Sequence, residues 1–483
     1  MPKILIVGGG YAGYYTALKL ERRWLRKDEA EVVVVEPLPY WTYQPFLPEV
    51  AAGSIEPRHA VVPIRRHLKT TRVVSARVTS IDHAAKTVTI TPPDGEPWVE
   101  SYDIIVVTAG SVSRTFPIPG VADEAIGLKT IEEAMAIRDR ITDNFERAST
   151  LPAGPARDRL LTTVVVGGGF AGIEIFAELR SFASDLLKYY PSLTIDDTHF
   201  HLIEAMGRIM PEVSLKTSYW VLKNLAEREA IVHLETQLSS AVDGRIELST
   251  GESFESDLIV WTAGVMASPM LKNTDLPTDD RGRLTVQADL RVKDANGDVV
   301  EDAWGAGDVS AVPDLTGGGV GGFCVPNAQH AVRQGKLLAK NIAGSLRGET
   351  PAEYFHKNQG AVAGIGLYVG VFQSRKLAVK GLPAWFMHRG YHGLAIPMWE
   401  RKIRVFSNWI LAFLLQRDMT GIIARDHPRA AFEEFASRPK PAAAAAPASS
   451  APATGAAPAA ATTPAAAKAP AAAKAPAKVP AKK

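Results

Sequence analysis

Near its N-terminus the chain reads Ile4-Leu5-Ile6-Val7-Gly8-Gly9-Gly10-Tyr11-Ala12-Gly13. The four apolar residues predict a buried strand, and Tyr14–Leu25 has the pattern of a helix that opens directly after the glycines. A second apolar run, Val32–Val35, is ended by Glu36. The order of strand, glycine-rich turn, helix and strand predicts a βαβ unit.

Gly8, Gly10 and Gly13 have the spacing of the GxGxxG dinucleotide-binding turn. Gly8 allows the tight turn, Gly10 lets the backbone approach a pyrophosphate, and Gly13 lets helix and strand pack closely. The helix N-terminus supplies amide N–H groups for the phosphates, and the carboxylate of Glu36 is placed to accept hydrogen bonds from ribose hydroxyls. A glycine-rich turn without a ligand is the alternative, but the two strands and the terminal acid favour a dinucleotide.

The same pattern recurs in the middle of the chain. The strand Leu161–Val166 leads into Gly167-Gly168-Gly169-Phe170-Ala171-Gly172, a helix follows to about Leu187, and the strand Phe200–Ile203 ends in Glu204. In each half a β-rich stretch then leads to a strand that ends in Thr-Ala-Gly, at residues 108–110 and 262–264. Two dinucleotide folds in one chain predict two dinucleotides that face each other.

Charge and cysteine content narrow the function. The 483 residues carry a formal net charge of +2, but residues 439–483 hold six lysines and no acid, which leaves −4 for residues 1–438. Nothing in this acidic body predicts binding to nucleic acid. The single cysteine, Cys324, excludes a disulfide scaffold, a CxxC redox pair and a thiolate zinc site, and no metal site is predicted.

The two ends of the chain carry further signals. The start lacks the basic and apolar regions of a signal peptide, and no run reaches the ~18 apolar residues that span a bilayer. We therefore expect a protein that stays in the cytosol, unless a segment that does not span the membrane anchors it to the membrane surface. Residues 439–483 contain nine prolines and no aromatic residue, which predicts a disordered tail.

Together these segments resemble the two-dinucleotide-binding flavoproteins of the pyridine nucleotide–disulfide oxidoreductase superfamily, and most closely the type II (non-proton-pumping) NADH:quinone dehydrogenases. The narrower resemblance lies in Trp261-Thr262-Ala263-Gly264-Val265, in Pro326-Asn327-Ala328-Gln329 and in a basic and aromatic C-terminal region. It implies an α/β fold with two Rossmann-like domains. The expected boundaries are an FAD-binding domain at 1–118 and 281–350, an NADH-binding domain at 119–280, a membrane-interface region at 351–438 and the disordered tail at 439–483.

The resemblance implies FAD on the first unit and NADH, as substrate, on the second. The FAD-binding residues would be Gly8, Gly10, Gly13, Glu36, Pro45, Val78, Ala109, Gly110, Gly307 and Asp308. The NADH-binding residues would be Gly167, Gly169, Gly172, Glu174, Glu204 and Gly264. A carboxylate at Glu204 favours NADH over NADPH, although the nearby Arg208 leaves NADPH open. Glu174 is the candidate catalytic residue, reaching toward nicotinamide and flavin; a solvated acid in the first turn of the helix is the alternative.

The implied reaction passes a hydride from NADH to FAD and two electrons on to a quinone of the respiratory chain, menaquinone or ubiquinone, without proton pumping. The implied quinone-side residues are Ala328, Gln329 and Arg333. Arg333 stands where the family motif Ala-Gln-x-Ala-x-Gln-Gln-Gly has its first paired glutamine, so the pocket must differ, because a guanidinium donates but cannot accept. The glycine-rich segment Asp314–Phe323 has the composition of an added loop, either a gate for the acceptor or a plain surface loop.

Residues 381–425 raise the question of a membrane. Phe406, Ile410, Phe413 and Leu414 recur at helical spacing, and the flanking basic residues are Arg401, Lys402, Arg404 and Arg417. Such helices lie in the membrane interface; packing on the protein's own core or on a second subunit of a homodimer is the alternative. The leading hypothesis is a peripheral enzyme on the cytoplasmic side of the cell membrane. A soluble flavin-dependent NAD(P)H reductase with a protein or oxygen acceptor, or a non-enzymatic FAD/NAD-binding sensor, remains open.

Overall fold

The computed structural model describes residues 1–357, 360–374 and 377–422. In the first part of the chain, short strands alternate with helices. In chain order these elements are β1 (Lys3–Val7), α1 (Tyr11–Lys19), β2 (Glu31–Val35), β3 (Tyr40–Thr42), α2 (Leu47–Ala51), β4 (Val61–Pro63), α3 (Ile64–His67), β5 (Arg72–Val74), β6 (Arg77–Asp82), β7 (Thr87–Thr91), β8 (Trp98–Ser101), β9 (Ile104–Val107) and β10 (Ser111–Ser113).

The middle of the chain has longer helices. Its elements are α4 (Val121–Glu124), β11 (Ala125–Gly127), α5 (Ile131–Ser149), α6 (Pro155–Leu161), β12 (Thr162–Val166), α7 (Phe170–Leu186), β13 (His199–Ile203), α8 (Leu215–Ala226), β14 (Ile231–His233), β15 (Leu238–Ser240), β16 (Arg245–Leu248), β17 (Ser253–Glu255), β18 (Leu258–Trp261) and β19 (Val265–Ala267).

The last described part ends in two helices. Its elements are β20 (Leu284–Thr285), β21 (Arg291–Lys293), β22 (Val299–Gly305), β23 (Ser310–Ala311), α9 (Ala328–Ser345), β24 (Ala361–Gly364), β25 (Gly370–Ser374), β26 (Leu377–Lys380), α10 (Leu382–Ala395) and α11 (Trp399–Leu415).

The first sheet has the strand order β21-β22-β9-β1-β2-β5. The strands from β22 to β5 are parallel, with Ile6 opposite both Val34 and Val106, and β21 runs antiparallel at the edge. Buried apolar residues fill β1, β2 and β9 because both faces of a parallel sheet are covered. The neighbours of β1 are β2 and β9, so the chain reverses its winding direction at the carboxyl end of β1, where such sheets bind ligands.

The second sheet repeats this topology. Its order is β11-β18-β12-β13-β14, and every pairing in it is parallel. The strand β12 lies between β13 and β18, as β1 lies between β2 and β9. An antiparallel group of three strands follows β5 in the first half and β14 in the second: β6-β7-β8 and β15-β16-β17. The α/β fold with two Rossmann-like sheets is therefore confirmed.

One strand pairing joins the two halves, and one helix contact completes the first half. The short strands β10 and β19 pair antiparallel, directly after the two Thr-Ala-Gly segments. Helix α9 packs along α1, where Thr16 donates a hydrogen bond to the carbonyl of Gly335 at 3.1 Å. A Cβ on Gly335 would lie 2.3 Å from the carbonyl oxygen of Ala12, so only glycine allows this approach. The packing holds α9 beside the first glycine turn.

Element boundaries differ locally from the sequence-based expectations. Helix α1 begins at Tyr11, three residues earlier than predicted, because Gly10 already occupies the N-cap position. In the β-rich stretch of the first half, Arg72–Ile81 reads as one strand but forms two, β5 and β6, which belong to different sheets. The described part of the predicted membrane-interface region contains the antiparallel sheet β24-β25-β26, followed by α10 and α11. The predicted tail at 439–483 lies outside the described residues.

Candidate functional site

The first glycine turn has the geometry that the sequence predicts. Gly8 has φ of +94°, a conformation that favours glycine. A Cβ on Gly13 would lie 1.9 Å from the carbonyl oxygen of Gly8, so α1 could not pack against the turn with a side chain there. A Cβ on Gly10 would meet no atom within 4 Å. The turn is thus closed on its inner side and open on the side where the phosphates of a dinucleotide would lie.

Glu36 is tied to this turn by its carboxylate. Its Oε2 accepts a hydrogen bond from the amide of Gly9 at 2.7 Å, and its Oε1 accepts one from the amide of Leu38 at 3.2 Å. Burial raises the pKa of Glu36, although these amides act in the opposite direction. The carboxylate is held at the end of β2, where it can accept hydrogen bonds from the hydroxyl groups of a ribose.

The second glycine turn repeats these contacts. Oε2 of Glu204 accepts from the amide of Gly168 at 2.5 Å, and its Oε1 accepts from the amide of Met206 at 2.7 Å. A Cβ on Gly172 would lie 1.8 Å from the carbonyl oxygen of Gly167. Both halves therefore use a carboxylate at the end of the second strand to hold the middle of the glycine turn.

Threonines close both turns from the next strand. The hydroxyl of Thr108 donates toward the carbonyls of Val7 and Gly8, at 3.0 and 2.9 Å. In the second half the hydroxyl of Thr262 lies 2.8 and 3.1 Å from the corresponding carbonyls, those of Val166 and Gly167. The Thr-Ala-Gly segments thus hold each turn closed.

A cleft of about 1070 Å³ opens between the two turns and reaches α10. Its lining includes the first glycine turn, the start of α7, the start of α9 and the C-terminal half of α10. The predicted site residues that line it are Gly8, Gly10, Glu36, Pro45, Ala109, Gly110, Glu174, Gly264, Gly307, Asp308, Ala328, Gln329 and Arg333. The cleft therefore gathers residues assigned to the flavin, to the nicotinamide and to the quinone.

The other predicted site residues lie outside the lining. They are Gly13, Val78, Gly167, Gly169, Gly172 and Glu204. Gly13 acts by packing, as the geometry above requires. Val78 is buried in β6, and the positive charge of the preceding Arg77 acts on Glu36, which places the start of β6 near that carboxylate. The glycines and acid of the second turn lie beyond the cleft.

Asp308 belongs to a chain of hydrogen bonds inside the cleft. Its Oδ2 accepts from the hydroxyl of Ser111 at 2.7 Å, and the hydroxyl of Ser111 accepts from Nζ of Lys129 at 2.5 Å. The preceding residue, Gly307, donates its amide to Oε1 of Gln334 at 2.8 Å. Ser111 and Lys129 are cleft residues that sequence reasoning missed, because neither belongs to a recognised motif.

Glu174 does not stand free in the first turns of α7. Its Oε1 accepts a hydrogen bond from the amide of Gly364 at 2.9 Å and lies 3.1 Å from Nε2 of His388. Nδ1 of His388 lies 4.0 Å from Oε1 of Glu49. Burial opposes the charged form of His388, but the two carboxylates outweigh it, so its pKa is raised. The alternative of a solvated helix acid is wrong for Glu174.

A second histidine joins this group to the cleft. Nδ1 of His392 lies 3.0 Å from the hydroxyl of Tyr43, and both residues line the cleft. Burial, together with the charge of His388, lowers the pKa of His392 well below its usual range. Burial also raises the pKa of Tyr43. Tyr43 and His392 therefore form a neutral, hydrogen-bonded pair between the cleft and the charged pair of Glu174 and His388.

On the predicted quinone side, Arg333 turns back on its own helix. Its Nη1 donates to the carbonyl of Gln329 at 2.9 Å. Next to it, Nδ1 of His330 lies 2.9 Å from the hydroxyl of Tyr354. Burial lowers the pKa of His330 against the opposing charge of Asp314. The cleft here is rich in donors, and the guanidinium keeps further N–H groups for an acceptor oxygen.

The C-terminal helices divide into a buried and an exposed side. Trp385, His388, Arg389 and Trp409 are buried, although they belong to the segment 381–425 that was expected at the membrane interface. The large apolar side chains exposed on the two helices are Leu382, Phe386, Met387, Tyr391, Leu394, Trp399, Ile403, Phe406, Ile410, Leu411, Phe413, Leu414 and Leu415; we call this set the apolar surface of α10 and α11. Among the described residues, no helix is long and apolar enough to cross a bilayer.

Buried ion pairs fix the inner side of these helices. Oε2 of Glu49 accepts from the indole N–H of Trp409 at 2.6 Å and lies 3.0 Å from Nη2 of Arg389. Beyond α11, Arg417 pairs with Glu178 at 3.0 Å and with Asp185 at 2.6 Å. Arg417 is buried, so its prediction as a basic flank of an interfacial helix is wrong.

Away from the cleft, His201, His233 and Glu252 lie close enough to hold a metal ion. However, Nδ1 of His201 and Nε2 of His233 lie 3.0 Å apart, at hydrogen-bond distance. Burial and the charge of His233 lower the pKa of His201 to about 4. We assign the cluster as a ring-to-ring hydrogen bond, because a nitrogen that donates its proton to the other ring has no lone pair for a metal.

Comparison with known proteins agrees with this architecture. Residues 2–335 match the family model described as pyridine nucleotide-disulphide oxidoreductase. A probable NADH dehydrogenase of Dictyostelium discoideum is 29% identical over 428 residues, which cover 87% of this chain and 91% of the relative. A type II NADH:quinone oxidoreductase of Staphylococcus epidermidis is 30% identical over 388 residues, which cover 78% of this chain and 91% of the relative. The structure of NDH2 from Plasmodium falciparum in complex with NADH superposes with a TM-score of 0.79 at 17% identity, and the match covers 87% of this chain and 99% of that one.

The chain belongs to the pyridine nucleotide-disulphide oxidoreductase family, the class that its two glycine turns define. Within that family its relatives place it among the type II NADH:quinone oxidoreductases. The disulphide chemistry of the family name is not available to a single chain with one cysteine. Burial, with the charge of Asp314, also raises the pKa of Cys324 to about 11, which keeps the thiol protonated and inert.

Proposed function

We propose that this protein is a type II NADH:quinone oxidoreductase that uses FAD, oxidises NADH and reduces a quinone without pumping protons. One observation carries the proposal: a single cleft connects the first glycine turn, the start of α7 and the inner side of α10. Relatives that match over most of this chain are NADH dehydrogenases and NADH:quinone oxidoreductases. They favour this function over a soluble reductase with a protein or oxygen acceptor and over a non-enzymatic sensor.

The FAD would be held by the first turn. Its phosphates fit the open side of Gly10 at the N-terminus of α1, its adenosine ribose fits Glu36, and its ribityl end fits Asp308. Gly110, with φ of +67°, also leaves open space beside the cleft. When bound, FAD supplies the two-electron chemistry that no side chain of this protein provides.

NADH would lie on the second turn with its nicotinamide toward Glu174. Glu204 is the acid for the ribose diol. Nη2 of Arg208 donates to the carbonyls of Val213 and Met210, at 2.5 and 3.3 Å, which directs this amino group toward the main chain. Together with the carboxylate of Glu204, this arrangement favours NADH over NADPH.

Protons would be held by the group around Glu174. The carboxylate and the His388 imidazolium form a buried pair beside the cleft, and His392 and Tyr43 form a neutral pair at its wall. Reduction of a quinone consumes two protons, and a buried histidine whose pKa is raised by a carboxylate is suited to hold and supply one. The quinone would enter between the start of α9, with Gln329 and Arg333, and α10.

The apolar surface of α10 and α11 would rest on the membrane. Its exposed leucine, phenylalanine and tryptophan side chains are typical of a helix pair that lies in the membrane interface, and a quinone that partitions into lipid could reach the cleft from there. Attachment on the cytoplasmic side and the domain boundaries given above belong to this proposal, and a homodimer contact through the same surface is the alternative to lipid contact.

Steady-state turnover tests the activity. The purified protein should carry FAD, and it should sustain NADH oxidation over many turnovers only when a short-chain quinone is present, at a rate well above that of a heat-inactivated sample. Anaerobic addition of NADH alone should bleach the flavin. A flavin that is bleached by NADH but passes no electrons to any quinone would refute the quinone acceptor. A bound flavin that NADH never bleaches would refute the proposed enzymatic activity.

A further inference from the structure

Lys129 is held in place by its main chain, between the start of α5 and the segment before α2. Its amide donates to Oε2 of Glu133 at 2.6 Å, and its carbonyl accepts from Nε2 of Gln44 at 3.1 Å. Glu133 also belongs to the capping box with Thr130 that begins α5. The side chain of Lys129 therefore extends into the cleft from a fixed point.

The ammonium group has no carboxylate in direct contact among its described partners. Its Nζ donates to the hydroxyl of Ser111 at 2.5 Å, and Ser111 donates to Asp308 at 2.7 Å. Burial lowers the pKa of Lys129, while the charges of Asp308 and Glu133 act in the opposite direction without outweighing it. The positive charge in this cleft is thus only partly compensated, which suits an anionic occupant.

Two residues in contact with the Lys129 segment indicate which anionic group would lie beside the ammonium. Asp308 is the residue for the ribityl end of FAD, and Gln44, bonded to the carbonyl of Lys129, precedes Pro45, the residue expected beside the isoalloxazine ring. Lys129 lies between these two segments. Taking up a hydride adds two electrons and one proton to the ring, so the flavin gains one negative charge, and a fixed nearby cation stabilises that charge.

We infer that Lys129, positioned by Ser111 and Asp308, is the residue that stabilises the reduced flavin and raises its reduction potential. The inference deepens the proposed function and rests on FAD being bound at the first glycine turn. Lys336 lines the same cleft but is exposed, with its Nζ 5.1 Å from the ring centroid of Tyr15. It serves as the matched comparison for loss of one positive charge.

The experiment is an anaerobic redox titration of the holoprotein and its variants. In Lys129→Met we expect the ratio of reduced-flavin to oxidised-flavin binding to fall at least tenfold, which for a two-electron couple lowers the midpoint potential by about 30 mV. Lys129→Arg should keep the potential near that of the wild type, and Ser111→Ala should give an intermediate fall. Lys336→Met should shift it less than Lys129→Met does.

Each failure has a distinct meaning. If the wild type is bleached by NADH but Lys129→Met keeps the wild-type potential, Lys129 does not act on the reduced flavin, and the proposed function stands. An equal loss of affinity for both redox states, with the same potential, assigns Lys129 to a phosphate and overturns the inference. If Lys129→Met retains no FAD, the Ser111→Ala titration decides, and an unchanged potential there also overturns it. If NADH does not bleach the flavin of the wild-type protein, the proposed function itself is refuted.

Discussion

Oε1 of Glu174, at the start of α7, lies 3.1 Å from Nε2 of His388 in α10. The first residue follows the second glycine turn, and the other belongs to the C-terminal region with the apolar surface. The pair is buried and continues to Glu49 on α2. The helices that would meet the membrane therefore also complete the polar wall of the cleft.

The charge on His388 should make stability depend on pH. Its folded pKa is raised, so its contribution to stability is fully present below the unfolded value of about 6.5 and is lost as pH rises through the folded value. We expect His388→Gln to lower the free energy of unfolding by about 1.5–3 kcal/mol at ~pH 6, and by less at ~pH 9. Denaturant unfolding at the two pH values measures this.

Glu174→Gln is the control for that prediction. Without the carboxylate, the pKa of His388 should fall, and the pH at which its contribution is lost should move downward. A difference between wild type and His388→Gln that is the same at both pH values would mean that the imidazolium is not the stabilising form.

The fold and both dinucleotide turns could be predicted from the sequence because these features are local. Each turn places its glycines and its strand within one βαβ unit, and the pairs Glu36 with Gly9 and Glu204 with Gly168 follow from that topology. The contact between Glu174 and His388 is different, since it joins segments far apart in the chain. No periodicity or spacing of residues encodes such a contact.

The C-terminal helices illustrate the same limit. A helical spacing of aromatic residues identifies an amphipathic helix but does not say which side is covered. Trp399 is exposed, whereas Trp385 and Trp409 are buried. The buried acid Glu49 explains the difference for Trp409, because it accepts the hydrogen bond of the indole. A buried acid on α2 cannot be inferred from the spacing on α11.

Glu36→Arg should weaken FAD retention. The change removes the acceptor that holds the amide of Gly9 and puts a cation where the ribose hydroxyls would bind. Hydrogen bonds to charged groups are worth about 1.5–3 kcal/mol, so the dissociation constant of FAD should rise at least tenfold. Flavin absorbance after desalting measures it. Asp298→Arg makes the same charge change at an exposed site and should retain FAD fully; equal retention in both variants contradicts the role of Glu36.

Glu204→Arg should shift the cofactor preference toward NADPH. Arginine would replace the acid for the ribose diol with a donor for a 2′-phosphate, while Arg208 stays bound to the carbonyl of Val213. Loss of a charged hydrogen bond of about 1.5–3 kcal/mol predicts that kcat/KM for NADH falls at least tenfold and that the NADPH to NADH ratio rises. Kinetics with both cofactors measure this, and an unchanged ratio would refute the assignment.

Two glycines of the second turn should respond differently to alanine. A Cβ on Gly172 would lie 1.8 Å from the carbonyl of Gly167, whereas one on Gly169 would meet no atom within 4 Å. Gly172→Ala must displace α7 from the turn and should cost about 1–3 kcal/mol of stability. Gly169→Ala should keep the Tm but raise the KM for NADH, because the methyl group enters the space for the phosphates. Similar Tm losses in both would argue against an open phosphate side.

The apolar surface of α10 and α11 can be tested without disturbing the fold. A truncation of this region would expose the buried partners of Arg389, Trp409 and Arg417, so point variants are the better tool. Leu394 and Phe413 are 68% and 67% exposed. We expect the double change to glutamate to lower the partition onto anionic lipid vesicles at least tenfold, because each apolar side chain transferred from water contributes about 1.5–3 kcal/mol.

Turnover with a short-chain quinone should survive in this variant, since neither side chain lines the cleft. The matched control is Val99→Glu, which alters an equally exposed apolar residue on β8 and should leave vesicle binding unchanged. Vesicle flotation and sedimentation velocity separate the two possible occupants of the surface. Unchanged flotation together with a change from dimer to monomer would assign it to a second copy of the chain, because charges at a subunit interface disrupt the dimer and leave lipid binding intact.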